Sequence, residues 1–250
     1  MKRFRADLHI HSCLSPCAEL EMSPKAVVEM SLVRGLDLIA LCDHNSAENV
    51  GAAIRAGKER GLAVLPGMEI NTLEEAHILT IFDTEEQALA MQEKVYRRLQ
   101  GTNRPDVFGD QVVANEFDEV EGFNDRLLIG AVQMDLYEVI REVHRLEGLS
   151  VAAHVDRPSY SVIGQLGFVP DDLDLDALEV SRHGSVASLE KDFGAVPKHL
   201  GRITSSDAHQ LEDVGVVETW FWIEEPTVNE LKRAFQESGG RRVEIPTGPG

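Results

Sequence analysis

The sequence predicts an α/β barrel built on a parallel sheet. Apolar runs of strand length alternate with capped helical segments along nearly the whole chain. Several of these runs are almost continuously apolar, which is typical of strands buried on both faces. The 250 residues, 43% of them hydrophobic, suffice for one large core, and α/β barrels often have this length. We therefore expect a single domain over residues 1–250, with its sheet closed or nearly closed into a barrel.

Local signals mark the elements of the first half of the chain. Ser23 and Pro24 supply an N-cap and a proline at the first helical position, and Gly35 ends that helix. Thr84 and Gln87 form a capping box at the start of a later helix. The predicted strands are residues 4–8, 36–42, 62–68 and 76–82, and the predicted helices are 25–34, 46–60 and 84–99.

The second half begins with a change of character over about residues 101–130. Residues 106–125 contain seven acidic side chains and no lysine or arginine, and they lack sustained periodicity. We expect an irregular excursion on the barrel rim or a lid, with more loop than core. The remaining predicted strands are 149–153, 177–180, 202–204, 216–222 and one near 243, and the helices are 135–146, one after 184, and 227–236.

The charge of the chain bears on its partners. A net charge of −19 repels long polyanions, so the sequence predicts no duplex nucleic acid partner. A small phosphorylated substrate is compatible with this net charge, because bound cations reverse the sign of the local electrostatic potential in a cleft. We expect no membrane span or signal peptide, and the three cysteines suit a reducing compartment. These features predict a cytoplasmic protein.

Residues of metal-binding types follow most of the predicted strands. His9 and His11 end the first strand, and alternate residues of a strand point to the same face. The candidates at later strand ends are Asp43, His44, Glu69, His154, Asp207 and His209, and His77 follows Glu69 on or beside the next strand. The C-terminal ends of barrel strands meet at one mouth. Six of the nine histidines occupy these positions, which favours a metal site over scattered structural histidines.

The ligand types indicate the metal and its chemistry. Imidazole and carboxylate together suit Zn²⁺, Mn²⁺ or Fe²⁺ better than Ca²⁺, which prefers oxygen ligands. About eight candidate ligands are too many for one ion, so we expect two or three ions that share bridging carboxylates. Such sites lower the pKa of a bridging water and stabilise in-line displacement at phosphorus.

Five short motifs resemble those of the polymerase and histidinol phosphatase (PHP) superfamily. They are Asp7-Leu8-His9-x-His11, Asp43-His44, Pro66-Gly67-Met68-Glu69, Ala153-His154-x-Asp156-Arg157-Pro158 and Ser206-Asp207-Ala208-His209. Their order agrees with the family from residue 7 to about 210. The resemblance implies a distorted (β/α)7 barrel that hydrolyses phosphoesters with a metal-bridged hydroxide.

The resemblance also implies how the ligands are shared among the ions. One ion is expected on His9, His11, Glu69 and Asp207. A second ion is expected on His77 and His154, with Glu69 as the bridge, and a third on His44 and His209.

The chain departs from the family where a further ligand of the third ion is expected. Many members carry an aspartate or histidine there, whereas this chain reads Leu14-Ser15-Pro16-Cys17-Ala18. Cys17 as a thiolate ligand would favour Zn²⁺ or Fe²⁺. The alternative is a small buried thiol beside a third position that is vacant or filled by water.

Other residues near the predicted mouth are candidates for substrate contacts. Arg157 suits bidentate capture of a phosphate, and the alternative is a salt bridge on the rim. Arg182 and His183 are weaker candidates for substrate binding. Asp43 is expected to orient a histidine ligand rather than to bind metal. The leaving group would be protonated by a metal-bound water or by one of two catalytic candidates, Asp207 and His209.

The predicted function is hydrolysis of a small phosphomonoester, with inorganic phosphate as a product. The substrate classes we consider are a nucleotide, a nucleoside bisphosphate and a compound similar to histidinol phosphate. Two alternatives stay open. One is a metal-dependent C–N hydrolase of the amidohydrolase type, and the other is a non-catalytic PHP regulatory module.

Overall fold

The structure is a computed structural model that describes residues 1–193, 196–197 and 199–246. It contains a nine-stranded sheet and a separate two-stranded sheet. The strands are β1 (Lys2–Ile10), β2 (Leu38–Leu41), β3 (Ala63–Asn71), β4 (His77–Ile81), β5 (Val112–Ala114), β6 (Val120–Phe123), β7 (Leu149–Ala152), β8 (Ala177–Val180), β9 (Gly201–Thr204), β10 (Thr219–Ile223) and β11 (Arg242–Glu244). The helices are α1 (Pro24–Val33), α2 (Val50–Arg60), α3 (Glu85–Tyr96), α4 (Pro105–Phe108), α5 (Leu136–Arg145), α6 (Val162–Leu166), α7 (Val186–Phe193) and α8 (Val228–Phe235).

The large sheet has the order β11-β10-β1-β2-β3-β4-β7-β8-β9 and curls into a distorted, nearly closed barrel, as predicted. β1, β2 and β3 are mutually parallel, and so are β7, β8 and β9. The prediction of parallel strands is wrong for β10, which runs antiparallel to β1 and β11. It is also wrong for β4, which runs antiparallel to both of its neighbours. The link from β3 to β4 is too short for a parallel crossover, which needs a dozen or more residues, so it forms a hairpin.

The reversed direction of β4 places its first residue beside the end of β3. In the register of this pair, His77 lies opposite Asn71 and Leu79 lies opposite Glu69. A histidine at the N-terminal end of β4 therefore reaches the edge where the parallel strands have their C-terminal ends.

The barrel seam between β1 and β9 is held by backbone and carboxylate contacts. His11 N donates to Ala208 O over 3.0 Å beyond the ends of the two strands. The buried carboxylate of Asp7 accepts hydrogen bonds from Ser206 N and Gly215 N, both at 3.0 Å. Asp7 thus fixes the segment that follows β9 against β1.

Apolar side chains of alternate strand residues fill the interior. Ala6 and Leu8 of β1 join Ala40 of β2 and Val151 of β7 in one buried cluster. The helices cover the outside of the sheet with their apolar stripes. On α5 the buried residues are Leu136, Val139, Ile140 and Val143.

The excursion over residues 101–130 is more ordered than predicted. It contains α4 and the antiparallel pair β5–β6. Val112 N donates to Cys13 O over 2.9 Å, and the Asn45 side chain donates to Leu128 O over 2.7 Å. The excursion therefore packs on the loops that follow β1 and β2. Within the described residues, no helix has the length and apolar character needed to cross a bilayer.

Burial of Asp7 makes a pH-dependent contribution to stability. Desolvation raises the pKa of this carboxyl from 3.8 to about 6, although Ser206 and Gly215 donate hydrogen bonds to it. Below about pH 4 the group is protonated in both the folded and the unfolded chain. Between pH 4 and 6 the unfolded chain loses the proton first, so this group destabilises the fold as pH rises.

We therefore expect the free energy of unfolding of the wild type to fall relative to that of Asp7→Asn between pH 4 and 6. The rise of the Asp7 pKa from 3.8 to about 6 corresponds to about 3 kcal/mol. Urea denaturation of both proteins across this range measures the difference. A difference that does not vary with pH would contradict the role of the buried charge.

Candidate metal centre

The imidazole rings of His9 and His11 converge at the end of β1, where both are fully buried. Their Nε2 atoms lie 3.1 Å apart. Each Nδ1 atom has its own partner: His9 Nδ1 lies 3.0 Å from Glu179 Oε2, and His11 Nδ1 lies 2.9 Å from Ser15 Oγ. The two Nε2 atoms are therefore left facing one another across a shared space.

Two carboxylates approach the same space from β3 and from the loop after β9. Asp207 Oδ1 lies 3.3 Å from His9 Nε2 and 3.2 Å from His11 Nε2. The Glu69 oxygens lie 3.4 Å from the same two nitrogen atoms. Two nitrogen and two carboxylate donors around one point form a ligand set that fits a divalent ion. The structure thus brings together the four residues predicted for the first ion.

The residues predicted for the second ion lie on the other side of Glu69. Its Oε1 atom lies 2.8 Å from His77 Nδ1 and 3.1 Å from His154 Nε2. In the described part of the chain, the buried Nδ1 of His154 has no hydrogen-bond partner. Glu69 therefore stands between the two predicted sets, where a bridging carboxylate would be needed.

A third group joins His44 and His209 to His11, with all three ligand nitrogen atoms within 4.8 Å of one another. Nδ1 of His44 lies 3.0 Å from Glu69 Oε2 but makes no hydrogen bond with any described residue. A buried nitrogen atom without a hydrogen-bond partner fits an ion better than it fits a protein core.

Cys17 is exposed and places its thiol beside this third group. Burial of the sulfur alone would raise its pKa, but the charge of His44 and a hydrogen bond with His209 lower the pKa to about 6. A thiol with this pKa is largely a thiolate at neutral pH. The role of Cys17 as a ligand and the alternative of a thiol beside a vacant or water-filled third position both stay predictions.

The charges at the centre are strongly coupled. Burial would raise the pKa of Glu69, but His77 and His9 hold it well below its usual range. Burial would lower the pKa of His9, but the carboxylates of Glu179 and Asp207 raise it well above its usual range. Burial and the nearby His209 lower the pKa of His11. The clustered carboxylates therefore attract positive charge into the centre.

Two of the candidate ligands occupy strained backbone conformations. His154, after β7, has φ 30°, and Asp207, after β9, has φ 50°. Residues other than glycine rarely adopt this left-handed backbone conformation. Such strain is retained where function needs a fixed geometry.

Glu179 is a site residue that sequence reasoning missed. It is buried on β8, where its carboxylate contacts His9 Nδ1 and accepts a hydrogen bond from His154 N over 3.0 Å. It thus holds residues of two predicted ion sets at once. The available signal was a single carboxylate within the apolar run 177–180.

Asp43 acts on the centre through an intermediate, Ser15, which was also missed. Asp43 Oδ1 accepts from Ser15 Oγ over 2.7 Å, and the same hydroxyl contacts His11 Nδ1. Asp43 also accepts from the backbone and hydroxyl of Ser12. The predicted orienting role of Asp43 therefore fits this contact chain.

The three residues predicted to contact substrate fall in different places. Arg157 Nη2 lies 2.7 Å from Asp207 Oδ2, so its guanidinium borders the first ion set. Arg182 instead pairs with Asp213 Oδ2 at 2.7 Å, and its Nε donates to the exposed His183. The substrate roles of all three stay predictions, and the geometry favours Arg157.

The variant Glu179→Gln tests whether Glu179 holds the metal ligands His9 and His154 in place. His9 Nδ1 and His154 N both contact Oε2 of Glu179, so the amide of glutamine can keep one acceptor oxygen there but removes the negative charge beside His9. We expect metal affinity to fall by roughly 10- to 100-fold, as for other groups that orient metal ligands. Competition with a chromogenic chelator measures the affinity, and Glu121→Gln, at an exposed position, is the matched control. Equal affinities in all three proteins would contradict the role of Glu179.

Comparison with curated proteins finds relatives that act on nucleic acids. The 5'-3' exoribonuclease of Haemophilus influenzae is 29% identical over 126 residues, which cover 48% of this chain and 45% of the relative. The match thus spans less than half of that protein.

Solved structures of the same fold are similar over nearly the whole chain. The lesion-specific endonuclease Q of Pyrococcus furiosus has a TM-score of 0.70 at 19% identity, over 97% of this chain and 58% of the other. A putative metal-dependent phosphoesterase of Bifidobacterium adolescentis has a TM-score of 0.56 at 20% identity, over 82% and 87% of the two chains. These likenesses show the fold.

The prediction that excluded duplex nucleic acid is wrong. Endonuclease Q, with a TM-score of 0.68 to this chain, has been solved with a 27-mer duplex carrying an abasic lesion at its active site. The prediction rested on whole-chain charge, which does not describe the local field of a cleft whose bound cations reverse its sign.

The family model that matches this chain describes the PHP domain. It matches residues 7–179, which contain four of the five motifs noted in the sequence. Metal dependence, the phosphoesterase class and the barrel fold agree with this match and with the structural neighbours. The chain belongs to the PHP domain family.

Proposed function

We propose that the protein is a metal-dependent phosphoesterase that hydrolyses a small phosphomonoester of the nucleotide type. The observation that carries this proposal is the convergence of histidine nitrogen atoms on the two oxygens of Glu69 at the end of β3. Membership of the PHP domain family supports the reaction class.

Two or three divalent ions, of Zn, Mn or Fe, are the proposed cofactors. The first set of ligands is His9, His11, Glu69 and Asp207, the second is His77 and His154 with Glu69, and the third is His44, His209 and Cys17. When bound, such ions supply Lewis acidity and lower the pKa of water.

Arg157 is the proposed phosphate-binding residue. One guanidinium nitrogen contacts Asp207, and the side chain is 36% exposed, so part of the fork is accessible to a ligand. A planar guanidinium can donate two parallel hydrogen bonds to phosphate oxygens. Its place beside the first ion set puts this positive charge where the phosphate would lie.

We assign protonation of the leaving group to His209 for a centre that holds only two ions. In that form the third ion, for which His209 is a proposed ligand, is not bound. Burial would raise the pKa of Asp207, but His9 and His11 hold it well below its usual range. Asp207 is therefore ionised at neutral pH. Burial would lower the pKa of His209, but Cys17 and Asp207 raise it, so this ring keeps a proton to donate.

A second candidate function is hydrolysis of phosphodiesters in nucleic acid. It is favoured by the identity to a 5'-3' exoribonuclease and by the fold shared with endonuclease Q. The shared fold also includes an amidohydrolase of Chromobacterium violaceum, which keeps C–N hydrolysis among the activities to be assayed.

We expect His9→Ala and Glu69→Ala each to reduce hydrolysis of a generic aryl phosphate to the background rate. Each substitution removes a donor from the first ion set, and Glu69→Ala also removes the proposed bridge. Steady-state rates and metal content measure the effect. His199→Ala and Glu121→Ala, both at exposed positions, are the matched controls. Unchanged rates and metal content in the two site variants would overturn the proposal.

Removal of the metal and a substrate panel separate the candidate functions. We expect a chelator to abolish activity and added Mn²⁺ or Zn²⁺ to restore it. The panel contains nucleoside monophosphates, a nucleoside bisphosphate, histidinol phosphate, single-stranded and duplex oligonucleotides and simple amides. Release of inorganic phosphate from the nucleotides supports the first candidate. Shortening or nicking of oligonucleotides without phosphate release supports the second, and amide cleavage alone would contradict both.

A further inference from the structure

The loop from His154 to Ser161 carries two groups to the same mouth of the barrel. Arg157 N donates to His154 O over 2.9 Å, which starts a tight turn after β7. Ser161 Oγ then donates to Arg157 O over 2.6 Å and accepts from Gly164 N at the start of α6. The loop is therefore fixed at both ends, and Tyr160 lies within it.

Tyr160 lies against a predicted metal ligand. Its ring stacks on the His77 ring with 5.0 Å between centroids and an interplanar angle of 27°. Its carbonyl oxygen accepts a hydrogen bond from His77 N over 2.9 Å. One face of the tyrosine ring is thus covered by a residue of the second ion set.

The rest of the tyrosine ring faces solvent. Tyr160 is 47% exposed, although its backbone has φ 56°, a conformation that aromatic residues rarely adopt. A strained residue that presents an apolar ring to water contributes little to a core. Retained strain of this kind is typical of ligand-binding segments.

We propose that Tyr160 forms one wall of a leaving-group subsite, on which the base of a nucleoside phosphate stacks. This inference rests on the proposed phosphoesterase function and narrows its substrate class to base-bearing phosphates. Arg157, three residues earlier in the same loop, would hold the phosphate beside Asp207. The exposed ring face then receives a flat group attached to that phosphate through a sugar.

The proposed role of Tyr160 predicts that the preference for substrates with a base depends on the tyrosine ring. Stacking of a base on an aromatic side chain implies a change of about tenfold or more in affinity when the ring is lost. A substrate with the same phosphate and sugar but no base cannot make this contact. Adenosine 5'-phosphate and ribose 5-phosphate are such a pair.

Kinetics of Tyr160→Leu and Tyr160→Phe with these two substrates test the inference. We expect Tyr160→Leu to raise KM for adenosine 5'-phosphate about tenfold and to change KM for ribose 5-phosphate less than about twofold. Tyr160→Phe keeps the ring and should resemble the wild type. Tyr137→Leu is the matched control, because Tyr137 is a 44% exposed tyrosine on α5. Metal content is measured for every variant.

Three outcomes would overturn the inference. The first is an equal increase of KM for both substrates in Tyr160→Leu, and the second is a fall of kcat in this variant together with its metal content. Either result would mean that the ring only shields His77. Unchanged KM for both would mean that the base does not touch the ring. A wild type that hydrolyses neither these compounds nor the other phosphomonoesters of the substrate panel would refute the proposed function. Calorimetric dissociation constants with Mn²⁺ would then decide: an unchanged ratio between the two compounds in Tyr160→Leu would refute the subsite.

Discussion

The carboxylate of Glu69 is the group on which the rest of the centre depends. Within the described residues, five histidines place a ring nitrogen within 3.4 Å of its two oxygens: His9, His11, His44, His77 and His154. An ionised carboxylate buried to this extent needs compensating positive charge. Nearby carboxylates raise the pKa of His9 and His44 well above the usual range, so these two rings supply positive charge as protons, and divalent ions would supply it more strongly. The geometry of the site is therefore a consequence of one buried charge at the end of β3.

The barrel delivers these histidines from distant parts of the sequence. His9 lies on β1 and His11 directly follows this strand, and the hairpin between β3 and β4 returns His77 to the same edge. Closure of the seam by Asp7 holds the segment that carries Asp207 and His209. Without the reversed strand and the closed seam, the second and third ligand groups would not meet the first.

The barrel and the candidate ligands could be predicted because both produce local patterns in the amino-acid sequence. Each candidate ligand except His77 lies at or just after the end of an apolar run, so its place at the mouth follows from strand direction alone; His77 instead begins β4. Glu179 and Ser15 could not be found in this way, because their roles arise from contacts with residues far along the chain. The direction of β4 could have been predicted from the five residues that link it to β3. The order within the excursion depends on partners such as Asn45, which no local pattern identifies.

Whole-chain charge was a poor guide to partners. The net charge of −19 is spread over a surface that includes the excursion, whereas a substrate meets the field of the centre and of Arg157. Clustered carboxylates that hold divalent ions present positive charge to a phosphate despite an acidic chain. The substrate class must therefore be decided at the mouth of the barrel.

Titration of Mn²⁺ into metal-free wild-type protein and Glu69→Gln by calorimetry tests the central claim most directly. The amide of glutamine removes the charge and keeps the shape of the side chain. We expect two or three ions per wild-type chain and at least one fewer in the variant. Equal stoichiometry and affinity in both proteins would contradict a centre organised by the Glu69 carboxylate.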